Sequence, residues 1–441
     1  MTYEEAVKYI EEIPMFTKKT ELKNSRYMLE LLGNPQEKPE VIHVAGTNGK
    51  GSVCAFLASI CRQGGRKTGM FTSPHLVDIR ERIQIDGEMV SEESFAKSCE
   101  TMRTIAEKLI ADGYQHPAYF EFLFGMAMEI FAREGVETVV LETGLGGRLD
   151  ATNAIEHPAV TILTSISMDH MEYLGDTIEA IAEEKAGIIK KGVPVVYWGE
   201  NPAVADVIEK KAHEKSAQTY AISVKDYEIL KIENKKIDFC SFCRYYENSI
   251  FTIPFSAAYQ VMNASLVLAA MAVLNQGRED KITLPMIQNG FANTVWQGRM
   301  EEVLPRIYVD GAHNEDGIRA FAEAVEYAEN TNGQERAEGK YLLFSVVKEK
   351  DYENMVRLLC EKLDWKGIIL TEINGGRRLA GDVMRKLFEQ YTDAQIEVCP
   401  DIQAAFEVAK TRVGDTDVLY CIGSLYLVGE IKELIGRYRN D

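Results

Sequence analysis

This 441-residue sequence lacks the features of a membrane protein, of a secreted protein and of a nucleic-acid-binding protein. No stretch approaches the roughly 18 apolar residues that a membrane-crossing helix needs. The start, MTYEEAVKYIEEIP, lacks the basic residues and the apolar run of a signal peptide. Positive charge is scarce, because 49 Lys and Arg against 68 Asp and Glu leave a net charge of −19. We therefore expect a cytoplasmic protein with no membrane and no nucleic-acid partner.

Cysteines are few and scattered, and their spacing does not suit a structural zinc site. Eight occur in the chain, which is typical of reduced thiols in a cytosolic protein. One C-x-x-C is formed by Cys240 and Cys243, but no second pair and no histidine pair stands at zinc-ligand spacing from it. We predict no metal site there.

Short apolar runs alternate with amphipathic stretches, which is typical of a parallel sheet covered by helices on both faces. Predicted strands in the first part of the chain are 41–45, 138–142, 159–164 and 193–197, and predicted helices are 52–62, 121–133 and 177–189. Residues from about 220 to 255 alternate polar with β-branched or aromatic residues, which indicates antiparallel strands.

A helix rich in Ala, Leu and Met is predicted at 263–274, and the segment 290–299 shows no regular element. The alternation then resumes with strands at 306–309, 341–346, 367–370 and 417–422 and with helices at 352–363 and 402–412. Because the chain is longer than one core usually holds, we predict two α/β domains. They span residues 1–295 and 300–441 and are joined by a linker at about 293–300.

The segment Val41–Ser52, VIHVAGTNGKGS, reads as a strand, a glycine-rich turn and the start of a helix. Glycines let backbone N–H groups approach phosphate oxygens, and a helix N-terminus adds partial positive charge. Lys50 would supply a cation for the phosphates, and the hydroxyl of Ser52 could contact Mg²⁺. Gly51 separates these two residues, unlike in the common G-x-x-x-x-G-K-[ST] pattern. The residues alone therefore predict an ATP-binding loop.

This loop resembles the nucleotide loop of the folylpolyglutamate synthase and dihydrofolate synthase family, within the Mur ligase superfamily. The resemblance continues in order along nearly the whole chain, through 71–76 (FTSPHL), 81–83 (ERI), 141–153 (LETGLGGRLDATN), 169–170 (DH), 184–188 (EKAGI), 310–314 (DGAHN) and 423–426 (GSLY). It implies a Mur-ligase-like P-loop ATPase domain with a mostly parallel sheet, followed by a smaller Rossmann-like glutamate-ligase domain.

The resemblance also implies the activity, which is ATP-dependent ligation of L-glutamate to a folate through an acyl phosphate. Dihydropteroate is the alternative acceptor, and one enzyme of the family can act on both. A nucleotide-binding switch or motor ATPase, and a peptidoglycan-type Mur ligase acting on a UDP-linked substrate, remain as other readings. We expect a monomer with small-molecule substrates.

Site residues follow from the same resemblance, position by position. Those implied to contact ATP are Thr47, Asn48, Gly49, Lys50, Gly51, Ser52, Asn263, Arg299 and Asp310. Those implied to hold two Mg²⁺ ions are Ser52, Ser73, Glu142, His170 and Lys185, with Lys185 carbamylated and a monovalent cation as a further possibility. Those implied on the substrate side are Arg82, Phe120, Glu121, Asp150, His313 and Ser424. The catalytic set is Lys50, Glu142, His170, Lys185, Asp310 and His313.

Ordinary structural roles compete with these assignments. Glu142 ends a predicted strand, where parallel sheets bind ligands, but it could be a helix cap or a surface charge. His170 could simply pair with Asp169, and Lys185 could be a solvated ion-pair member. Asn263 could be a helix N-cap, and the aromatic face at Phe120 could be plain core. For Arg299 the planar guanidinium suits phosphate oxygens.

Two positions depart from the family pattern. Glu315 follows Asn314 where the family usually has Pro, which puts the local turn in doubt. Phe124 stands where the family often has Thr.

Overall fold

The structure is a computed structural model that describes residues 1–14, 22–233, 235–243, 245–331, 337–373 and 377–440. The strands in these ranges are β1 (Glu40–Ala45), β2 (Thr68–Phe71), β3 (Ile83–Ile85), β4 (Glu88–Met89), β5 (Thr138–Glu142), β6 (Val160–Leu163), β7 (Val195–Trp198), β8 (Thr219–Ile222), β9 (Tyr227–Glu233), β10 (Lys236–Ser241), β11 (Ser249–Ile253), β12 (Glu301–Leu304), β13 (Ile307–Val309), β14 (Lys340–Phe344), β15 (Gly367–Thr371), β16 (Gln395–Cys399) and β17 (Val418–Ile422).

The α-helices are α1 (Tyr3–Glu11), α2 (Lys23–Leu31), α3 (Lys50–Gln63), α4 (Glu92–Ala111), α5 (Tyr119–Arg133), α6 (Met171–Leu174), α7 (Ile178–Ala186), α8 (Pro202–Glu214), α9 (Tyr259–Leu274), α10 (Leu284–Ala292), α11 (Glu315–Thr331), α12 (Tyr352–Lys362), α13 (Gly381–Phe388), α14 (Ile402–Arg412) and α15 (Leu425–Asn440). Short 3₁₀ helices lie at Pro35–Glu37, Ile79–Arg82, Ala151–Ala154 and Val224–Asp226. Among the described residues, no helix combines the length and the hydropathy that a membrane crossing requires.

The first large sheet has the strand order β4-β3-β2-β5-β1-β6-β7-β8 within the described residues. Neighbours from β2 to β8 pair in parallel, whereas β3 and β4 continue the sheet in antiparallel fashion. Its central strands are almost wholly buried, which explains their continuous apolar sequence. Val44 is in register with both Glu142 and Ile162, so β1, β5 and β6 end side by side.

A smaller antiparallel sheet, β11-β10-β9, packs with the first sheet around α9. Helix α9 is buried on nearly every side, because it lies between the two sheets and beside α3. The second large sheet has the order β12-β13-β17-β14-β15-β16. Its strands pair in parallel except for β12, which is antiparallel to β13.

The predicted fold class is confirmed, since both large sheets are mostly parallel and alternate with helices. Strand 138–142 and helix 402–412 have the predicted bounds, and the other predicted elements shift by up to four residues. The predicted antiparallel strands are present as β9, β10 and β11, although positions 234 and 244 of that region lie outside the described residues. The division into domains 1–295 and 300–441 stays a prediction.

Three details of the prediction were wrong. The segment 219–222 is strand β8, which pairs in parallel with β7 and so extends the first sheet. The segment 290–299 begins inside helix α10, whose Pro285 and Gly290 obscured the helical pattern. Strands β2, β3, β4, β12 and β16 were not predicted. In β12 the polar residues Glu301 and Glu302 lie on an edge strand, which needs no apolar run.

Candidate active site

A cavity of about 890 Å³ lies where the carboxyl ends of β1, β5 and β6 face the carboxyl ends of β13 and β17. Parallel sheets bind ligands at this edge, since the loops that leave the strands converge there. Every site residue predicted above lines the cavity, from Thr47 of the glycine-rich loop to Ser424 after β17. The structure therefore brings together residues that the sequence spreads over nearly 380 positions.

Two lysines converge on one carbonyl oxygen of the loop between β1 and α3. Lys50 Nζ donates to Gly46 O at 3.2 Å and to Thr47 O at 3.0 Å, and Lys185 Nζ donates to Gly46 O at 2.8 Å. Lys185 is buried, so the solvated ion-pair alternative is wrong for it. Burial, reinforced by the charge of Lys50, lowers the pKa of Lys185 to about 7. Part of its population therefore carries a neutral amine near neutral pH.

The same loop is packed so closely that side chains are excluded at two of its glycines. Gly49 has φ +90, and a Cβ there would lie 2.3 Å from Asn263 Oδ1. A Cβ on Gly51 would lie 2.4 Å from Cζ2 of Trp296. Gly51, which distinguishes this loop from the common phosphate-loop pattern, is therefore required by the indole that covers it.

Helix α9 supports the loop through a chain of side-chain amides. Gln260 Nε2 donates to Ser52 Oγ at 3.2 Å, and Asn263 Nδ2 donates to Gln260 Oε1 at 3.0 Å. Asn263 is the fifth residue of α9, so the N-cap alternative is wrong. Its Oδ1 is buried, lies against Gly49 of the loop and has no hydrogen-bond partner among the described residues.

Oxygen-bearing side chains of the kind that Mg²⁺ prefers lie beside the loop. The carboxylate of Glu142 is buried at the end of β5, which excludes the surface-charge alternative, and its Oε2 accepts a hydrogen bond from Ser73 N at 3.0 Å. Burial raises the pKa of Glu142, while Lys50 opposes that rise. No group of three or more His, Cys, Asp or Glu side chains in the described ranges forms a metal cage. A few protein oxygens completed by phosphate and water are the usual Mg²⁺ arrangement, and Glu142, Ser52 and Ser73 fit it.

His170 lies in the loop after β6, beside the ammonium group of Lys350 from the second-sheet side. Lys350 Nζ donates to Asp169 Oδ1 at 2.6 Å and stands 3.4 Å from His170 Nε2. Asp169 also accepts a hydrogen bond from the N–H of His170 at 2.8 Å, and their side chains stand 3.8 Å apart. The Asp169–His170 pairing is thus present, and Lys350 is part of it. Burial, followed by the charge of Lys350, lowers the pKa of His170 to about 4.

Asp310 directly follows the strand β13, and its carboxylate accepts a hydrogen bond from the linker. Its Oδ2 accepts hydrogen bonds from Tyr259 Oη at 3.0 Å and Met300 N at 2.8 Å, and its Oδ1 accepts one from Ala312 N at 2.8 Å. Burial raises the pKa of Asp310, and the neighbouring Arg299 opposes the rise. The carboxylate is already well occupied by the protein, so it supports the linker that carries Arg299.

His313 and Ser424 complete the second-sheet side of the cavity. His313 Nδ1 lies 2.7 Å from Gly311 O, and because a carbonyl only accepts, we assign the ring proton to Nδ1. Burial, followed by the charge of Lys350, lowers the pKa of His313 to about 3, which leaves Nε2 as a neutral acceptor. Ser424 Oγ accepts a hydrogen bond from Tyr426 N at 3.2 Å and keeps its own proton for donation.

The opposite wall of the cavity is aromatic. The rings of Phe120 and Phe71 lie 5.4 Å apart, and Arg82 stacks over the ring of Tyr119 at 5.5 Å while its Nε donates to His75 Nδ1 at 2.8 Å. Phe120 is only partly buried, so a face remains for a planar ligand. Phe124, in contrast, is fully buried core.

The carboxylates of Glu121 and Asp150 accept hydrogen bonds from groups next to this wall. Glu121 accepts hydrogen bonds from Ala118 N at 2.9 Å and Ser25 Oγ at 3.0 Å. Asp150 Oδ2 accepts from the backbone N–H groups of Gly144 and Leu145, both at 2.9 Å, and its Oδ1 accepts from Thr152. Both residues line the cavity, but their hydrogen bonds show that they position loops as well.

Some cavity residues were missed by sequence reasoning, notably Tyr259, Lys350 and Arg377. Lys350 stands in the charged run KEKD after β14, and its position beyond a strand end was the available signal. Glu315, which departs from the family pattern, is the first residue of α11, and Asn314 Oδ1 accepts a hydrogen bond from Gly317 N at 2.8 Å.

Comparison with known families agrees with this architecture. The sequence model described as "Mur ligase middle domain" matches residues 44–273, and that described as "Mur ligase, glutamate ligase domain" matches residues 298–425. The fold and the site thus define a Mur ligase, an ATP-dependent ligase. Within that class, the chain belongs to the folylpolyglutamate synthase and dihydrofolate synthase family.

Relatives match along the full length of the chain. The "Dihydrofolate synthase/folylpolyglutamate synthase" of Bacillus subtilis is 31% identical over 439 residues, which cover 98% of each protein. The structure of E. coli FolC in complex with DHPP and ADP superposes with a TM-score of 0.83 at 27% identity, covering 100% of this chain and 99% of that one. An FPGS-AMPPCP-folate complex matches with a TM-score of 0.83 at 28% identity, covering 99% of this chain and 100% of that one.

Proposed function

We propose that the protein ligates L-glutamate to the carboxylate of a folate and converts ATP to ADP and phosphate. The main support for this proposal is that one cavity is lined by the phosphate loop, by the aromatic wall at Phe120 and by Asp310 and His313 of the second-sheet side. Solved relatives hold an ATP analogue with folate, and ADP with DHPP. A cavity of about 890 Å³ is at the large end for small-molecule sites, as three substrates require.

The first step is phosphoryl transfer to the substrate carboxylate. A carboxylate oxygen bonds to the γ-phosphorus while the bond from that phosphorus to the β–γ bridging oxygen breaks, which gives an acyl phosphate and ADP. Lys50 leaves its loop carbonyls and, with Arg299, neutralises the charge that moves to ADP. A Mg²⁺ ion held by Ser52, Ser73 and Glu142 would add positive charge beside the phosphates.

The second step joins the amine of glutamate to the activated carbonyl. The ammonium of glutamate first loses one proton to solvent, and the neutral nitrogen then bonds to the acyl carbon. The carbon–oxygen bond to phosphate breaks, and a second proton leaves the nitrogen for solvent or phosphate, so the amide keeps one N–H. His313 Nε2 accepts a hydrogen bond from the amine and orients it, while Ser424 and Arg82 are placed to hold carboxylates of the substrates. A cavity lined from both large sheets limits the access of water to the acyl phosphate.

Lys185 is proposed to be carbamylated and to act with His170 at a second cation. The lowered pKa of Lys185, about 7, supports this, since only a neutral amine attacks CO₂. As an ammonium donating to Gly46 O, it could not bind a cation. A ¹³C-carbamate signal after incubation with ¹³C-bicarbonate, absent from K185A, is the expected result, and an identical signal in both proteins would contradict the assignment.

The acceptor substrate is tested by measuring ADP release. Purified protein is assayed with Mg²⁺, ATP and glutamate, and with either tetrahydrofolate or dihydropteroate. We expect glutamate-dependent ADP release with tetrahydrofolate and none in K50A. Release with dihydropteroate, alone or in addition, supports the alternative that the relative in B. subtilis carries in its name. Release without glutamate would favour a switch or motor ATPase, and release only with a UDP-linked acceptor would favour a peptidoglycan-type ligase. We further propose a cytoplasmic monomer, as the sequence predicts.

A further inference from the structure

A pair of asparagine side chains joins the phosphate loop to the second-sheet side of the cavity. Asn48 Nδ2 donates to Asn314 Oδ1 at 3.1 Å, and Asn314 Nδ2 donates back to Asn48 Oδ1 at 3.0 Å. Asn48 lies inside the glycine-rich loop, whereas Asn314 directly precedes α11 and follows His313. The contact spans 266 residues of sequence, so it links the loops of the two large sheets.

The buried carboxylate of Asp169 anchors this pair. Asn314 Nδ2 also donates to Asp169 Oδ2 at 3.1 Å, and Lys350 Nζ donates to Asp169 Oδ1 at 2.6 Å. Only 6% of the Asp169 side chain and 8% of the Lys350 side chain are exposed, so solvent cannot replace these partners easily. One carboxylate that follows β6 is thus held by two groups of the second sheet.

We propose that Asn314 and Asp169 are positioning residues that couple the phosphate loop to the glutamate side of the cavity. A nucleotide fixes the loop that carries Asn48, and the paired amides then fix Asn314 and with it the adjacent His313. This inference rests on the proposed function, because it places glutamate beside His313. Breaking the pair therefore weakens glutamate use and exposes the acyl phosphate to water, while ATP binding persists.

The variant N314D isolates this role. Aspartate keeps the acceptor that Gly317 N uses at the start of α11, so the helix cap is retained. It replaces the Nδ2 donor with an oxygen that faces Asp169 Oδ2 and Asn48 Oδ1, so attraction becomes repulsion. In the double variant N314D/D169N the amide and the carboxylate exchange places. That variant restores a donor–acceptor pair and leaves the net charge of the wild type unchanged.

The experiment measures three quantities on the full-length protein. They are the KM for glutamate, the ratio of ADP released to glutamate ligated, and the dissociation constant of an ATP analogue. We expect N314D to raise the KM for glutamate roughly tenfold or more, since more than one hydrogen bond is lost. The ratio should rise above one, and analogue binding should change less than about threefold, which is below the worth of one average hydrogen bond. N314D/D169N should recover part of the loss, because the restored donor–acceptor pair is offset by the lost charge pairing between residue 169 and the buried Lys350.

A matched control is N201D, because Asn201 caps α8 in the same way, accepting from Ala203 N and Val204 N, and does not line the cavity. It should leave all three quantities unchanged. The coupling is overturned if N314D keeps the wild-type KM and ratio, if analogue binding falls in parallel with glutamate use, or if the double variant is no better than the single one. A wild-type protein without glutamate-dependent ADP release would instead overturn the proposed function, and the coupling with it.

Discussion

The phenol of Tyr259 donates a hydrogen bond to Asp310 Oδ2 at 3.0 Å, which ties the first turn of α9 to the end of β13. The same oxygen accepts from Met300 N, whose residue has a φ of +44. A positive φ is unfavourable for a non-glycine residue, and the hydrogen bond from its N–H to Asp310 offsets part of that cost. Tyr259 and Asp310 therefore fix the linker next to Arg299.

Removal of the hydroxyl in Y259F should loosen this linker. A hydrogen bond to a charged group contributes about 1.5–3 kcal/mol, so we expect an unfolding free energy lower by roughly that amount. The kcat should fall several-fold, because Arg299 is less firmly placed, while the ring keeps its packing. Denaturant unfolding and steady-state assays measure both effects.

Y308F is the matched control for that experiment. Tyr308 lies on β13 itself, packs on Tyr420 and does not line the cavity. Its variant should keep the wild-type kcat. An equal loss in both variants would show that the hydroxyl of Tyr259 has no special part in holding the linker.

Steric contact between Gly51 and Trp296 leads to a second prediction. G51A would place a Cβ 2.4 Å from the indole, and overpacking of this kind costs about 1–3 kcal/mol. We expect a correspondingly lower unfolding free energy and a higher KM for ATP, because the loop must move. The smaller ring in G51A/W296F should restore part of both values.

G436A provides the comparison, since a Cβ at that position meets no atom within 4 Å. It should match the wild type in KM for ATP. If G51A behaves in the same way as G436A, the indole does not restrict the loop.

The convergence of the site residues was predictable, because the motifs stand at the ends of strands. Glu142 ends β5 where it was predicted to end, and the register of β5 with β1 then places it beside the phosphate loop. Because the strands are parallel, motifs that directly follow different strands all lie at the same edge of the sheet. The sequence was therefore sufficient to predict that Lys50, Glu142 and His170 lie in one cavity, while their chemical roles stay predictions.

The contacts that support those residues were not predictable. Tyr259 lies on a helix buried on nearly all sides, so its sequence shows no polar face that would distinguish a functional position. Lys350 contacts Asp169, which lies 181 residues away in the sequence, and the sequence around either residue does not indicate that contact. Asn48 was predicted only as an ATP contact, although its side chain also reaches Asn314.

A third prediction concerns the charge of Glu142. E142Q keeps an oxygen that can accept the hydrogen bond from Ser73 N but removes the negative charge that a cation requires. We expect the kcat to fall by about 100-fold or more, as for loss of a preorganised electrostatic group. The Mg²⁺ concentration for half-maximal activity should rise. The unfolding free energy should not fall, because burial already disfavours the charged form.

E137Q is a close match, since Glu137 stands just before the same strand and accepts a hydrogen bond from Lys67 N at 2.8 Å. It should leave the Mg²⁺ dependence unchanged. An unchanged Mg²⁺ dependence in E142Q as well would remove Glu142 from the proposed metal ligands.

The last prediction concerns His43, which is wholly buried in β1 with Nε2 2.9 Å from Thr152 Oγ1. Burial, with a smaller effect of Lys190, lowers the pKa of His43 from 6.5 to about 3. Between these values the unfolded chain binds a proton that the folded protein does not. Stability is therefore unaffected by this group above pH 6.5 and falls as the pH drops toward 3, by up to about 1.4 kcal/mol per pH unit.

A comparison of the wild type with H43N measures how much His43 contributes to the change of the unfolding free energy with pH. His75, His170 and His313, whose pKa values are also lowered, remain in both proteins, so their contributions cancel in the difference. The substitution in H43N lowers the unfolding free energy at every pH, but the asparagine side chain does not titrate. The unfolding free energy of the wild type minus that of H43N should therefore shrink as the pH falls from 6.5 to 4.5. A difference that does not change with pH would mean that His43 takes up a proton without penalty in the folded state.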